Sequence, residues 1–175
     1  MKSKSIALIL LLSLFLTSCN AVDDLLSFTI SNEASIKIKS TSPLNLPTEI
    51  ITPDVTTNSS AEFQNNKTKA SLVKDVKIRS LKLSISDPSD KTFTFLKSIH
   101  LYISTSNSEE IELAYQDNIN SSSNTIDLIC TDKRLDQYIK ADTYKIRTQV
   151  TLKETLTKDV TVKADMKFRV TADPF

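Results

Sequence analysis

Residues 160–170 alternate without a break between two kinds of side chain. Val160, Val162, Ala164, Met166, Phe168 and Val170 share one face of an extended chain. Thr161, Lys163, Asp165, Lys167 and Arg169 share the other. Successive side chains of a β-strand point to opposite faces, so a period of two marks a strand with one face in a core and one in water. A helix would scatter the same residues around its axis. Residues 144–152 repeat the scheme, with Tyr144, Ile146, Val150 and Leu152 inward and Lys145, Arg147, Gln149 and Thr151 outward. Thr148 falls on the inward face, where its hydroxyl needs a partner or partial exposure. Residues 153–159 are long enough to join the two strands as an antiparallel hairpin.

The same period recurs upstream. Ile99, Leu101 and Ile103 pair naturally with Ile111, Leu113 and Tyr115 across a turn at 104–108, where Asn107 is available for a left-handed position. Val76 and Ile78 are in one phase, Leu81, Leu83 and Ile85 in the other. A one-residue slip inside a strand predicts a β-bulge near Arg79 and Ser80. Asp87-Pro88-Ser89-Asp90 ends that strand, and Phe93, Phe95 and Leu96 then cover apolar surface. Ile126, Leu128 and Cys130 read as a shorter strand. Phe28 and Ile30, then Ile36 and Ile38, read as strand near the N-terminus, where Lys37 and Lys39 would protect an edge from intermolecular pairing.

Helical signals are few. Residues 132–140 are the best case, with Asp132 placed to cap and Leu135, Tyr138 and Ile139 at helical spacing. Residues 61–69 are a short helix or loop. Residues 49–55, in a stretch that holds Pro43, Pro47 and Pro53, fit an edge strand. Seven to eight antiparallel strands, each with one apolar face, pack as two sheets face to face. The expected fold class is therefore all-β: an immunoglobulin-like antiparallel β-sandwich with one short helix, and a small closed barrel as the rival. One domain, 28–175, holds all of these elements.

Composition closes off much chemistry. The 175 residues contain no glycine. Phosphate-cradling loops, dinucleotide fingerprints, nucleophile elbows and standard EF-hand loops all depend on glycine. Turns must instead draw on Asn, Asp, Ser and Pro. The charges are 22 Lys and Arg against 21 Asp and Glu, interspersed along the chain. That balance gives no electrostatic case for nucleic acid, nor for a polybasic lipid contact.

The first 19 residues have a separate logic. Lys2 and Lys4 precede an apolar run, residues 6–16, interrupted only by Ser13. As a helix its 11 residues span roughly 16 Å, about half of a bilayer's hydrocarbon core. That suits a signal-peptide core and not a membrane span. The run ends in Leu16-Thr17-Ser18-Cys19, which resembles the lipobox of bacterial lipoproteins: an aliphatic residue and two small residues before a cysteine. The resemblance implies a signal peptide at 1–18, a lipidated tether at 19–27 and lipid attachment at Cys19. The thiol accepts diacylglycerol and cleavage follows before it. The mature chain would be held in the cell envelope, at the outer membrane, through acyl chains on Cys19, with either face of the membrane open to it. Asp23-Asp24 resembles loosely the acidic export signal of some Bacteroidota surface lipoproteins; a solvated linker explains the pair equally well. With Cys19 acylated, Cys130 has no disulfide partner. The order of strand, Asp-Pro turn and Phe-x-Phe-Leu-Lys-Ser-Ile in 84–103, with the two long strands that end the chain, is similar to small Bacteroidota β-sandwich lipoproteins. No activity or functional residue follows from that likeness.

Candidate chemical residues are sparse. His100 is the sole histidine and alternates against Ile99 and Leu101, so it should lie on the polar face beside Tyr102. One His and one unlipidated Cys are too few for a usual zinc site, and no serine sits in a nucleophile context. Cys130 shares the phase of Ile126 and Leu128 and reads as a small core residue. Glu110 and Glu112 share a face, and Asp87 and Asp90 flank Pro88; either pair could serve acid–base work, or simply be solvated. Tyr102 is the only tyrosine clearly out of phase with the core, a thin platform for a sugar. Residues 118–124 read as a flexible loop. No cofactor or metal is implied. The expected function is a non-catalytic, membrane-anchored envelope protein that binds a protein partner or serves as a structural module. An inhibitor or immunity-type lipoprotein is the alternative, and a surface hydrolase using Glu110, Glu112, Asp87 or Asp90 is the third.

Overall fold

The computed structural model describes residues 27–173. The signal peptide and Cys19, with most of the expected tether, lie outside the described residues. Ten strands form two antiparallel sheets. Sheet A has the order β1 (Ser27–Ile38), β10 (Val160–Ala172), β4 (Val73–Asp87), β7 (Thr125–Asp127). Sheet B has the order β2 (Pro47–Ile51), β9 (Thr143–Leu152), β5 (Leu96–Thr105), β6 (Ser108–Gln116), β8 (Ile129–Cys130), and β3 (Val55–Thr56) also pairs with β9.

The alternating residues carry the core as expected. Val160, Val162, Ala164, Met166, Phe168 and Val170 of sheet A are buried, as are Tyr144, Ile146, Val150 and Leu152 of sheet B. The sheets meet directly: the Tyr144 ring packs edge-on against Phe168 at 6.4 Å. Its hydroxyl reaches the Met166 sulfur at 4.0 Å, and burial pushes the phenol pKa far up. The slip in β4 is a bulge, because Lys167 pairs with Ser80 and Phe168 with Ile78, which leaves Arg79 unpaired. β1 is an edge strand, and Lys37 and Lys39 both pair with Asp159.

Several expectations need correction. The strands number ten and not seven to eight, because two- and three-residue strands leave no period to read. Residues 52–54, with Pro53 at their centre, split an edge into β2 and β3, since proline cannot donate to the ladder. The apolar run Ile126-Leu128-Cys130 is not one strand. β7 pairs with β4 in sheet A and β8 with β6 in sheet B, so the chain changes sheets at Leu128. Likewise β9 and β10 do not form a hairpin. Their connection crosses the end of the sandwich, with Leu156 buried and Lys153 N–H donating to the Phe95 carbonyl at 2.8 Å.

Two short helices replace the single one. The second, α2 (Asp136–Ile139), is one turn that buries Tyr138 and Ile139. Asp132 does not cap it, being engaged by Lys77 instead. The first, α1 (Ser59–Asn65), buries Phe63. It ends in a Schellman motif: Thr68 N–H donates to the Phe63 carbonyl at 2.8 Å and Lys67 N–H to Gln64 at 2.9 Å. Lys67 takes the left-handed position there, φ 54°. Asn45 and Asn118 are the other positive-φ residues among those described. Asn107 is not among them, because Ser108 Oγ accepts from Thr105 N–H at 3.0 Å and shapes that turn without it.

Candidate functional site

The outer face of sheet B gathers the polar and aromatic side chains of four strands. Strand register sets them in rows. Glu49 on β2, Gln149 on β9, His100 on β5 and Tyr115 on β6 are successive cross-strand neighbours. The next row is Ile51, Arg147, Tyr102 and Glu112.

Arg147 holds the first half of the face together. Its guanidinium lies over the Tyr102 ring, 4.0 Å from the centroid, a cation–π contact. It donates to Glu110 through Nε at 2.9 Å and through Nη2 at 2.6 Å, and to Glu49 through Nη1. Gln149 also donates to Glu49, at 2.7 Å. Partial burial works against the Glu49 charge, yet the bonds from Arg147 and Gln149 outweigh it and lower its pKa. The bonds from Glu110 and Glu49 hold Arg147 firmly protonated.

His100 organises the second half. Its ring lies 6.5 Å from Tyr102 and 5.6 Å from Tyr115, near-parallel to both. Nδ1 is 2.7 Å from Glu112 Oε1 and Nε2 is 3.2 Å from Asp117 Oδ1. Desolvation disfavours the charged ring, but the two carboxylates outweigh it, so the pKa is raised above the ordinary 6.5.

His100 and Tyr102 thus lie on the polar face, as their phase predicts. Glu110 and Glu112 share that face, the first bonded to Arg147 and the second to His100. Asp87 and Asp90 do not join them: Asp87 ends β4 in sheet A, opposite Thr161, and Asp90 follows in the turn. Tyr115 corrects the expectation that it points inward. A register shift between Leu101 and Tyr102 leaves Leu113 and Ala114 both buried and turns Tyr115 outward. Cys130 is half-buried against the core, and burial pushes its thiol pKa up. The 118–124 segment is not a free loop. Ile119 is buried and bonded to Lys97 and Lys153, Ser123 accepts from Phe93 N–H, and Asn124 from Ile85 N–H. Sequence reading missed Arg147 and Glu49, because nothing local marks two residues 98 positions apart as partners. Among the described residues no group of three His, Cys, Asp or Glu is disposed to hold a metal ion. None of their helices is long and apolar enough to cross a membrane.

No family model matches the chain, and no curated protein matches it in sequence. Among solved structures, a chain of Desmodium yellow mottle tymovirus aligns over 85% of this chain and 83% of its own, at 14% identity and a TM-score of 0.29. A chain from the empty head of turnip yellow mosaic virus aligns over 85% and 82%, at 11% identity and a TM-score of 0.30. Likenesses of this extent bear on neither ancestry nor activity.

Proposed function

We propose that the chain is a lipid-anchored protein of the cell envelope, held at the outer membrane by acyl chains on Cys19, whose non-catalytic, immunoglobulin-like sandwich binds a protein partner. The run Leu16-Thr17-Ser18-Cys19, behind a basic start and an apolar segment, carries the reading. Each part has a task there: the basic residues orient the segment, the apolar residues insert it, and the thiol takes the lipid. The immunoglobulin-like assignment draws on two antiparallel sheets whose connections change sheet.

The outer face of sheet B supports the binding role. Tyr102, Tyr115 and Arg147 are of the types that dominate protein interfaces. They are held by ring stacking, a cation–π contact and the Arg147 ion pairs within the face, so little side-chain freedom remains to be lost on docking. Ile51 and Ile129 are 73% and 50% exposed, on the two outermost strands of that sheet. Engagement of Glu110 by Arg147 and of Glu112 by His100 suits a presenting surface better than an acid–base pair.

The test is photo-cross-linking in intact cells, with the cross-linker at Ile51, at Ile129, or at Ser35 on the exposed face of sheet A. The same protein recovered from Ile51 and Ile129, and not from Ser35, is the expected result. Equal yields from all three, or no reproducible adduct, would contradict it.

A further inference from the structure

Folding segregates charges that the sequence intersperses. On the outer face of sheet A, Thr29, Arg169 and Lys77 are direct neighbours across β1, β10 and β4. Lys167 lies one outward position further along β10, between Ser31 and Ser80. The β4 bulge adds one residue to this region, Arg79. Arg79 and Arg169 line an open groove of about 370 Å³ with Ser27, Phe28 and Thr29. A second groove, about 510 Å³, continues from Arg169 past Thr171 to Lys74, Asp75 and Lys77.

The nearby acids already have basic partners. Asp173 pairs with Lys74, Asp132 with Lys77, and both Asp75 and Asp136 with Arg134. Arg169 donates to Ser27 Oγ at 3.3 Å. Arg79 and Lys167 are exposed, and neither is in an ion pair among the described residues. The positive surplus of the region rests on them.

Ser27 opens the first strand and lies on the wall of the first groove. Eight residue steps separate it from Cys19, at most roughly 28 Å of extended chain. An acylated Cys19 therefore keeps this end of sheet A close to the bilayer. We propose that Arg79 and Lys167, flanked by Arg169 and Lys77, dock on the anionic headgroups of the membrane in which Cys19 is anchored. This orientation turns the outer face of sheet A toward the lipid and that of sheet B away from it. The proposal rests on the lipid-anchor reading. Acyl chains already supply retention, so the patch has only to bias orientation. A few cations within a Debye length of a charged leaflet, about 8 Å at physiological salt, give a several-fold preference or more.

The test uses the acylated mature protein, residues 19–175, in vesicles of phosphatidylcholine alone or with added phosphatidylglycerol. Acetylation rates at Lys167 and Lys77 are read by mass spectrometry, with Lys145, exposed on β9 of the opposite sheet, as reference. Lys167 should slow several-fold in the anionic vesicles only. High salt and the Arg79→Gln variant should each weaken that protection, and Lys145 should not change. Equal Lys167 rates in both vesicles would overturn the docking. So would protection in both vesicles that disappears when Asp23 and Asp24 are changed to Asn, since the chain's own tether would then occupy the patch. A failed anchor reads differently: protein without acyl mass on Cys19 does not float with neutral vesicles, and that overturns both proposals.

Discussion

His100 Nδ1 lies 2.7 Å from Glu112 Oε1, while its other nitrogen lies 3.2 Å from Asp117 Oδ1. A neutral imidazole donates from one nitrogen only, and an ionised carboxylate only accepts. Both contacts are satisfied at once by the imidazolium. Tyr102 and Tyr115 flank the ring, and Glu110 and Glu49 lie beyond them on Arg147.

A raised folded-state pKa makes protonation stabilising. The contribution is complete below the unfolded value of 6.5 and is lost as pH rises through the folded value. Thermal stability should therefore fall as pH rises above about 6.5 relative to a His100→Gln variant, whose profile should be flatter. Ring titration followed by NMR should give a midpoint above 6.5. A midpoint at or below 6.5 would contradict the arrangement. Loss of the proton also frees Asp117 at the start of the 118–124 segment, so amide exchange there should quicken over the same pH range.

Thr148 is fully buried, and its hydroxyl has no hydrogen-bond partner among the described residues. It sits between Ile50 on β2 and Leu101 on β5. Replacing an unsatisfied buried hydroxyl by a methyl of nearly the same shape removes a desolvation cost of about 1 kcal/mol or more. Thr148→Val should raise the denaturant midpoint without changing the slope of the transition. A lower midpoint would show that the hydroxyl has a partner that stabilises the fold.

Lys67 holds the left-handed position that closes α1, a place glycine usually takes. A Cβ there costs about 1 kcal/mol, partly offset by the greater freedom of glycine in the unfolded chain. Lys67→Gly should stabilise the protein by a few tenths of a kcal/mol up to about 1. Lys67→Val should destabilise it by more, because a β-branched side chain tolerates that conformation least. Calorimetric melting of both variants checks the order; Val above wild type would refute it.

How far the sequence reveals this fold depends on the contrast each strand offers. β10 is legible because six apolar residues alternate with five polar ones, and the Arg79 bulge because Ile78 and Leu81 cannot share a phase. The second bulge, at Leu113 and Ala114, is hidden: alanine gives little contrast and a tyrosine suits either face, so Tyr115 reads as inward. Sheet changes leave no trace either, since β9 and β10 have the same pattern whether they pair or face each other. The cluster on sheet B is legible one residue at a time, His100 and Glu112 by their phase. Its assembly is not, because Arg147 meets Glu110 and Glu49 across 37 and 98 positions only through the order of strands.

Acylation of Cys19 is the claim on which location and orientation both depend. Its most direct test is the mass of the N-terminal peptide of the protein isolated from membranes. The mature chain should begin at Cys19, with diacylglycerol on its sulfur. A mature chain that begins elsewhere, or carries an unmodified Cys19 thiol, would contradict it.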